Sequence, residues 1–193
     1  MKKVIRITES DLIKLVKKSI NEGIKISKDE RIKLADNKNF LLVIPLSTDA
    51  ACKYGAATKW CVSGKESNAF TDYQNACHTV GMIMIKDPKI QEVLNGSKFA
   101  FNVWNGGVEI YNELNRAITG ENLVNLAKEY DFVDDLKDVV TDFVNYHNNV
   151  CSDKVKVKQD TVLRTFPSLF TDDNEDDSFF GSSNEFDIEW VTL

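Results

Sequence analysis

Asn105-Gly106-Gly107 stands between two runs rich in β-branched and aromatic residues, Lys98-Phe-Ala-Phe-Asn-Val-Trp104 and Val108-Glu-Ile-Tyr-Asn112. Asn and Gly accept the positive φ that a tight hairpin turn requires, and the flanking runs suit a pleated, half-buried surface. The segment therefore predicts an antiparallel β-hairpin, and a chain holding one hairpin must find further strands or helices to cover it. The same glycines lack the following helix and Lys-Ser/Thr pair of a phosphate-cradling loop, so the turn alone explains them.

Two further runs extend the sheet. Phe40-Leu-Leu-Val-Ile44, stopped by Pro45, and Thr79-Val-Gly-Met-Ile-Met-Ile85 are continuous apolar stretches of strand length, the pattern of strands buried on both faces. Helices are predicted between and after them. Ser27-Lys-Asp-Glu30 reads as a capping box opening a short helix that ends near Asp36. Ser47 or Thr48 caps a helix through Tyr54, with Gly55 as its left-handed stop, and Ser67 caps one carrying Phe70, Tyr73 and Cys77. Thr119 opens a helix through Leu123, Leu126 and Tyr130, and Phe132 to Val144 form a longer apolar stripe; together these two should cover one face of the sheet. The expectation is a single α+β domain over residues 23–165, its antiparallel sheet centred on the hairpin. An N-terminal helix (1–22) and an acidic tail (166–193) are expected to flank it.

Charge separates the ends from the middle. The chain has 193 residues and a net charge of −6. Residues 1–20 carry six basic side chains against Glu9 and Asp11, whereas residues 171–193 carry eight acidic side chains and no basic one. The nearly neutral middle argues against a broad nucleic-acid surface on the folded domain. No apolar run approaches the roughly 18 residues of a membrane span, and no secretory signal opens the chain, so a soluble, intracellular protein is expected, in a virion or a host cytoplasm. In that setting the four cysteines are expected to remain thiols.

Leu12, Ile13, Leu15, Val16 and Ile20 form an apolar helical stripe flanked by Lys14, Lys17 and Lys18. The segment Met1 to Glu22 resembles the basic leader found on many tailed-phage proteins. Its closing Ile20-Asn21-Glu22 is similar to the Ile/Leu-x-Glu sites cut by prohead proteases of T-even-type phages, and Ile7-Thr8-Glu9 matches the same pattern. The central stretch Tyr54-Gly-x-x-Thr58-Lys-Trp60-Cys61 resembles a group of uncharacterised phage and bacterial proteins that share a Tyr-Gly-x-x-Thr-x-Trp-Cys core. That likeness runs from about Pro45 to Tyr111 and brings no assigned activity.

Chemistry, if present, should centre on that stretch. Tyr54, Thr58, Lys59, Trp60 and Tyr73 are the candidate binding residues, and Cys61 with His78 the candidate catalytic pair. A thiolate nucleophile needs a base or a positive neighbour; Lys59 could lower the thiol pKa, and Asp72 or Asp49 could orient an imidazole. No established signature surrounds Cys61, and Trp-Cys in a predicted extended segment reads more simply as core packing. Cys52, Cys61, Cys77 and His78 lack the paired spacing of a structural zinc site, so no metal and no cofactor is expected. His147 reads as a surface or boundary residue. Glu109 and Glu113 lie on the hairpin within reach of a site, and read as solvated edge acids.

Two functions follow. The first is a phage virion- or head-associated protein acting by protein-protein interaction, its partners phage structural proteins or further copies of itself. The second is a small effector enzyme using Cys61 on a host protein. Neither calls for a membrane.

Overall fold

The computed structural model describes residues 30–151 and 155–170. The leader helix expected over residues 1–22, and the acidic run from residue 171 onward, lie outside them. Among the described residues no helix is long and apolar enough to cross a membrane.

Five strands form one antiparallel sheet in chain order: β1 (Arg31–Asp36), β2 (Phe40–Pro45), β3 (Thr79–Ile85), β4 (Lys98–Trp104) and β5 (Gly107–Asn112). The α+β reading therefore holds. The hairpin forms where expected, pairing Phe99 with Asn112 through Trp104 with Gly107. It does not sit at the centre of the sheet, because β3 takes that position and β5 is an edge strand. Asn105 (φ +50°) and Gly106 (φ +75°) are the two left-handed turn residues, the pairing of a type I′ turn. A valine at Gly106 would be forced into that region, with its Cβ 3.2 Å from the Lys156 carbonyl oxygen. We expect Gly106→Val to cost about 1–2 kcal/mol, and Gly107→Val less, since Gly107 has no positive φ. Equal losses in urea melts would contradict this account of the turn.

Residues 31–36 form a strand and not the expected helix. The turn Asn37-Lys38-Asn39 returns the chain so that β1 pairs with β2, and propensity yields to that pairing. Asn37 Nδ2 donates to the Asp135 carbonyl (2.9 Å) and Asn39 Nδ2 to the Asp135 carboxylate (2.5 Å), which fixes the turn to the start of a long helix.

The helices are α1 (Thr48–Tyr54), α2 (Phe70–Asn75), α3 (Pro88–Val93), α4 (Gly120–Glu129), α5 (Val133–Val150) and α6 (Gln159–Thr165). Ser47 caps α1 and Thr119 caps α4, as expected, and Asp87 caps α3. Gly55 ends α1 at φ −85°, outside the left-handed region; its role is steric, since a Cβ there would lie 2.4 Å from Ser63 Cβ. Ser67 does not cap α2; Asn68 Oδ1 accepts from the Phe70 amide instead. The short helix α6 was not foreseen, and Phe166 and Leu169 beyond it are buried, so packed residues continue past 165.

Strand alternation divides the sheet into two faces. Phe40, Leu42, Ile83, Phe99, Phe101 and Ile110 pack with Leu123, Leu136, Val140, Phe143 and Phe166 in the main core. Val43, Val80, Met82 and Ala100 point the other way and pack with Ala51, Trp60, Val62 and Phe70 in a smaller second core. Burying a large side chain contributes about 1.5–3 kcal/mol, so the aromatic-rich first face dominates stability. The second face is thinner and carries polar side chains at its β4–β5 end.

Helix α5 also carries a destabilised acid. Burial, reinforced by the nearby Asp138 charge, pushes the Asp142 carboxyl up from 3.8 to about 6. A raised folded-state value means that the stabilising proton is held below about pH 4 and lost as pH rises through 6. Asp142→Asn should therefore raise the melting temperature at pH 7.5 by more than it does at pH 4. The same increment at both pH values would show that ionisation of Asp142 is not the cause.

Candidate functional site

The central motif is a turn-rich loop laid across the second face, not an extended segment. Thr58 Oγ1 donates to the Gly55 carbonyl at 2.7 Å and lies 3.0 Å from Ser63 Oγ, while the Lys59 amide donates to the Glu113 carbonyl at 2.7 Å. Trp60 is 4% exposed and its Nε1 donates to the Asn112 carbonyl at 2.7 Å, so it anchors the loop to the end of β5. Tyr54 stacks beneath the Arg31 guanidinium, 5.2 Å from its ring centre, and its hydroxyl accepts from Arg31. Of the expected binding residues, then, Tyr54, Thr58 and the Lys59 backbone hold the loop in place. Trp60 and Tyr73 reach a cavity.

That cavity, of about 120 Å³, is lined by Trp60, Cys61, Tyr73, Asn102 and Tyr111 over an apolar floor of Val62, Val80, Ala100 and Phe101, with Asn115 at its side. Register explains the convergence. Asn102 lies opposite Glu109 and Ala100 opposite Tyr111, and all four alternate away from the main core. Asn102 Nδ2 donates to Glu109 Oε2 at 3.0 Å, and Tyr111 Oη donates to the same oxygen at 3.0 Å. Burial, then the Glu109 hydrogen bond, raises the Tyr111 phenol. Tyr73 is pushed up to about 12, first by its hydrogen bond with Cys61 and then by burial, so both phenols keep their protons at neutral pH.

Cys61 and His78 do not form a catalytic pair. Cys61 Sγ lies 3.4 Å from Tyr73 Oη, and among the described residues no hydrogen bond joins it to an imidazole. The His78 ring stacks between Tyr73 (4.6 Å between ring centres) and Trp104 (5.5 Å). Its Nδ1 is buried and has no hydrogen-bond partner among the described residues. The reading of Cys61 as a core residue is also overturned: the side chain is exposed, at the cavity mouth, because the loop turns at Trp60 and leaves the next residue outward. We expect Cys61→Ser to shift stability by less than about 0.5 kcal/mol, and iodoacetamide to modify Cys61 before the half-buried Cys52. Preferential labelling of Cys52 would contradict that exposure.

The expectation of four thiols fails for one pair. Cys77 is bonded to Cys151, 74 residues away, while Cys52 and Cys61 are free. With Cys77 so committed, the set Cys52, Cys61, Cys77 and His78 cannot act as four ligands, and among the described residues no group of three metal-ligating side chains converges. His147 is likewise not a surface residue: it is fully buried and bonded through both ring nitrogens.

Sequence reasoning missed Asn102, Tyr111 and Trp104 as site residues and set Glu109 aside. The signal was present in the strict alternation of β4 and β5, which places their non-core residues together on one face. Comparison of the chain with family models, curated proteins and solved structures gave no significant match.

Proposed function

We propose that this chain is a phage virion- or head-associated protein that works by protein-protein interaction, with the second face of its sheet as the docking surface. The observation that carries the interaction reading is Trp104, which is 56% exposed and stacked on His78 beside the Trp60–Tyr73–Tyr111 cavity. A large aromatic held rigidly at a surface, next to a partly formed pocket, is the usual composition of an interaction hot spot. The phage assignment is supported by the resemblance of residues 1–22 to a processed leader, ending in Ile20-Asn21-Glu22. The alternative, an effector enzyme with Cys61 as nucleophile, draws support from the exposed thiol alone; its hydroxyl neighbour Tyr73 holds its own proton and is a poor base.

The test is incorporation. Tagged full-length chain, a variant lacking residues 1–22 and Trp104→Ala should be supplied during infection, and purified particles analysed by intact mass. The full chain should be found in particles, shortened by 22 residues if the leader is cut after Glu22; both variants should be depleted at least tenfold. Normal incorporation of the leader deletion would overturn the head-associated reading.

A further inference from the structure

We propose that the Cys77–Cys151 bond is a redox latch on the docking face: it holds Cys77 in a left-handed turn that supports the Tyr73–His78–Trp104 stack, and a dithiol reductant that opens it releases the stack while the sheet stays folded. The inference rests on the docking reading above for its consequence, and on the turn itself for its mechanism. The bond ties the end of α5, a main-core helix, to the residues that follow α2, whose Phe70 belongs to the second core. One covalent link thus joins helices from the two faces of the sheet.

Residues 73–78 close α2 with a Schellman motif. The His78 amide donates to the Tyr73 carbonyl at 2.8 Å and the Cys77 amide to the Gln74 carbonyl at 3.1 Å, with Cys77 at φ +55°. The side-chain contact that accompanies such a motif is here the His78 imidazole on the Tyr73 ring, and Trp104 stacks on the same imidazole. Trp104 is in place to do so because β3 and β4 pair Thr79 with Val103, one residue away on each strand. Glycine takes the left-handed position freely, whereas a residue with a Cβ does not, so the bond to Cys151 supplies what the local sequence lacks. Helix α2 offers little else, having six residues of which Phe70 alone is buried. Beyond the turn, Thr79 is hydrogen-bonded to His147 and β3 is paired on both sides, so the loosening stops at residue 78.

The exchange begins at Cys77, the more exposed of the two partners. A thiolate of the dithiol attacks Cys77 Sγ, the S–S bond breaks, and Cys151 leaves as a thiolate and takes up a proton. The second thiol of the reductant then attacks its own sulfur in the mixed disulfide, closing the reductant's disulfide and releasing Cys77, which is protonated in turn. Two electrons and two protons pass from the dithiol to the protein. The face is therefore loose in a reducing compartment and fixed once the chain meets an oxidising one.

Proton NMR of the full chain, with and without dithiothreitol, reads the stack directly. The His78 ring protons, shifted by the two rings they lie against, should lose at least half of that shift on reduction, while the ring signals of Phe99 and Phe143 in the main core stay in place. Cys77→Ser/Cys151→Ser should show the reduced pattern throughout and ignore the reductant. Cys77→Gly/Cys151→Ser, which has no bond but relieves the left-handed residue, should recover at least half of the His78 shift and also ignore the reductant. Unmoved His78 signals once mass spectrometry shows the bond open, no recovery by the glycine variant, or loss of the core signals together with those of His78 would each overturn the latch. If the NMR outcomes are as expected while Cys77→Ser/Cys151→Ser is retained in purified particles as well as the parent chain, the latch stands and the docking role assigned to this face falls.

Discussion

Breaking the Cys77–Cys151 bond should lower the stability of the folded domain by about 4 kcal/mol. The bond closes a segment of 74 residues, and the chain-entropy relation for a loop of that length gives roughly this value as an upper figure, within the ~2–5 kcal/mol seen for native disulfides. The location adds a local effect. Cys151 caps the C-terminus of α5, its amide donating to the His147 carbonyl, and Cys77 has the unfavourable φ of +55° immediately before His78. Opening the bond frees both that strained residue and the base of the His78–Trp104 stack. A Cys77→Ser/Cys151→Ser variant should unfold at lower urea than the oxidised parent, and a reducing agent should bring the parent to the same midpoint while leaving the variant unmoved. Thiol titration of the native protein should count two groups, and of the reduced, unfolded chain four. Coincident midpoints for oxidised parent and variant would show that the bond contributes nothing.

Local rules made much of the sheet readable and failed where distance decided. The Asn105-Gly106 turn, the apolar runs at Phe40 and Thr79, and the stripes of α4 and α5 were legible because each is encoded by neighbours in sequence. The segment 31–36 was misread because a helical start signal was outweighed by pairing with β2, which no local pattern reports. The disulfide was hidden for a related reason, since only the packing of α5 against the sheet brings residues 77 and 151 together. In the candidate site the motif around Trp60 drew attention to the right loop, yet Gly55, Thr58 and Trp60 are explained by close approach, turn hydrogen bonds and an indole anchor. The polar hairpin residues at the cavity, Asn102 and Tyr111, and the Glu109 carboxylate that both bond, came from the hairpin already recognised in the sequence; what was not drawn from it was the face on which they meet.

Replacing His147 by Ala should cost about 3–5 kcal/mol, from a cavity left by a fully buried ring together with two polar groups stripped of their partner. His147 Nε2 lies 3.0 Å from the Val155 carbonyl, which can only accept, so that nitrogen carries the proton. Nδ1 is then the acceptor for Thr79 Oγ1 at 2.8 Å, joining α5 to the first residue of the central strand β3. At about 2–4 °C per kcal/mol, the melting temperature should fall by roughly 6–20 °C, and Thr79→Val should recover part of the loss in the His147→Ala background by removing one of the orphaned groups. The pH dependence follows from the same contacts. Burial lowers the His147 pKa below its ordinary 6.5, against the raising effect of the Val155 hydrogen bond and with a smaller lowering by His78. The unfolded chain therefore takes up the proton first, and the stability contributed by the neutral ring is present above about pH 6.5 and lost as pH falls toward the lower folded-state value. This runs opposite to Asp142, whose proton favours the folded state in acid, so the two are separable in single variants: His147→Ala should flatten the acid-side decline that Asp142→Asn leaves in place. An acid limb of unchanged slope in His147→Ala would mean that the buried imidazole is not its source.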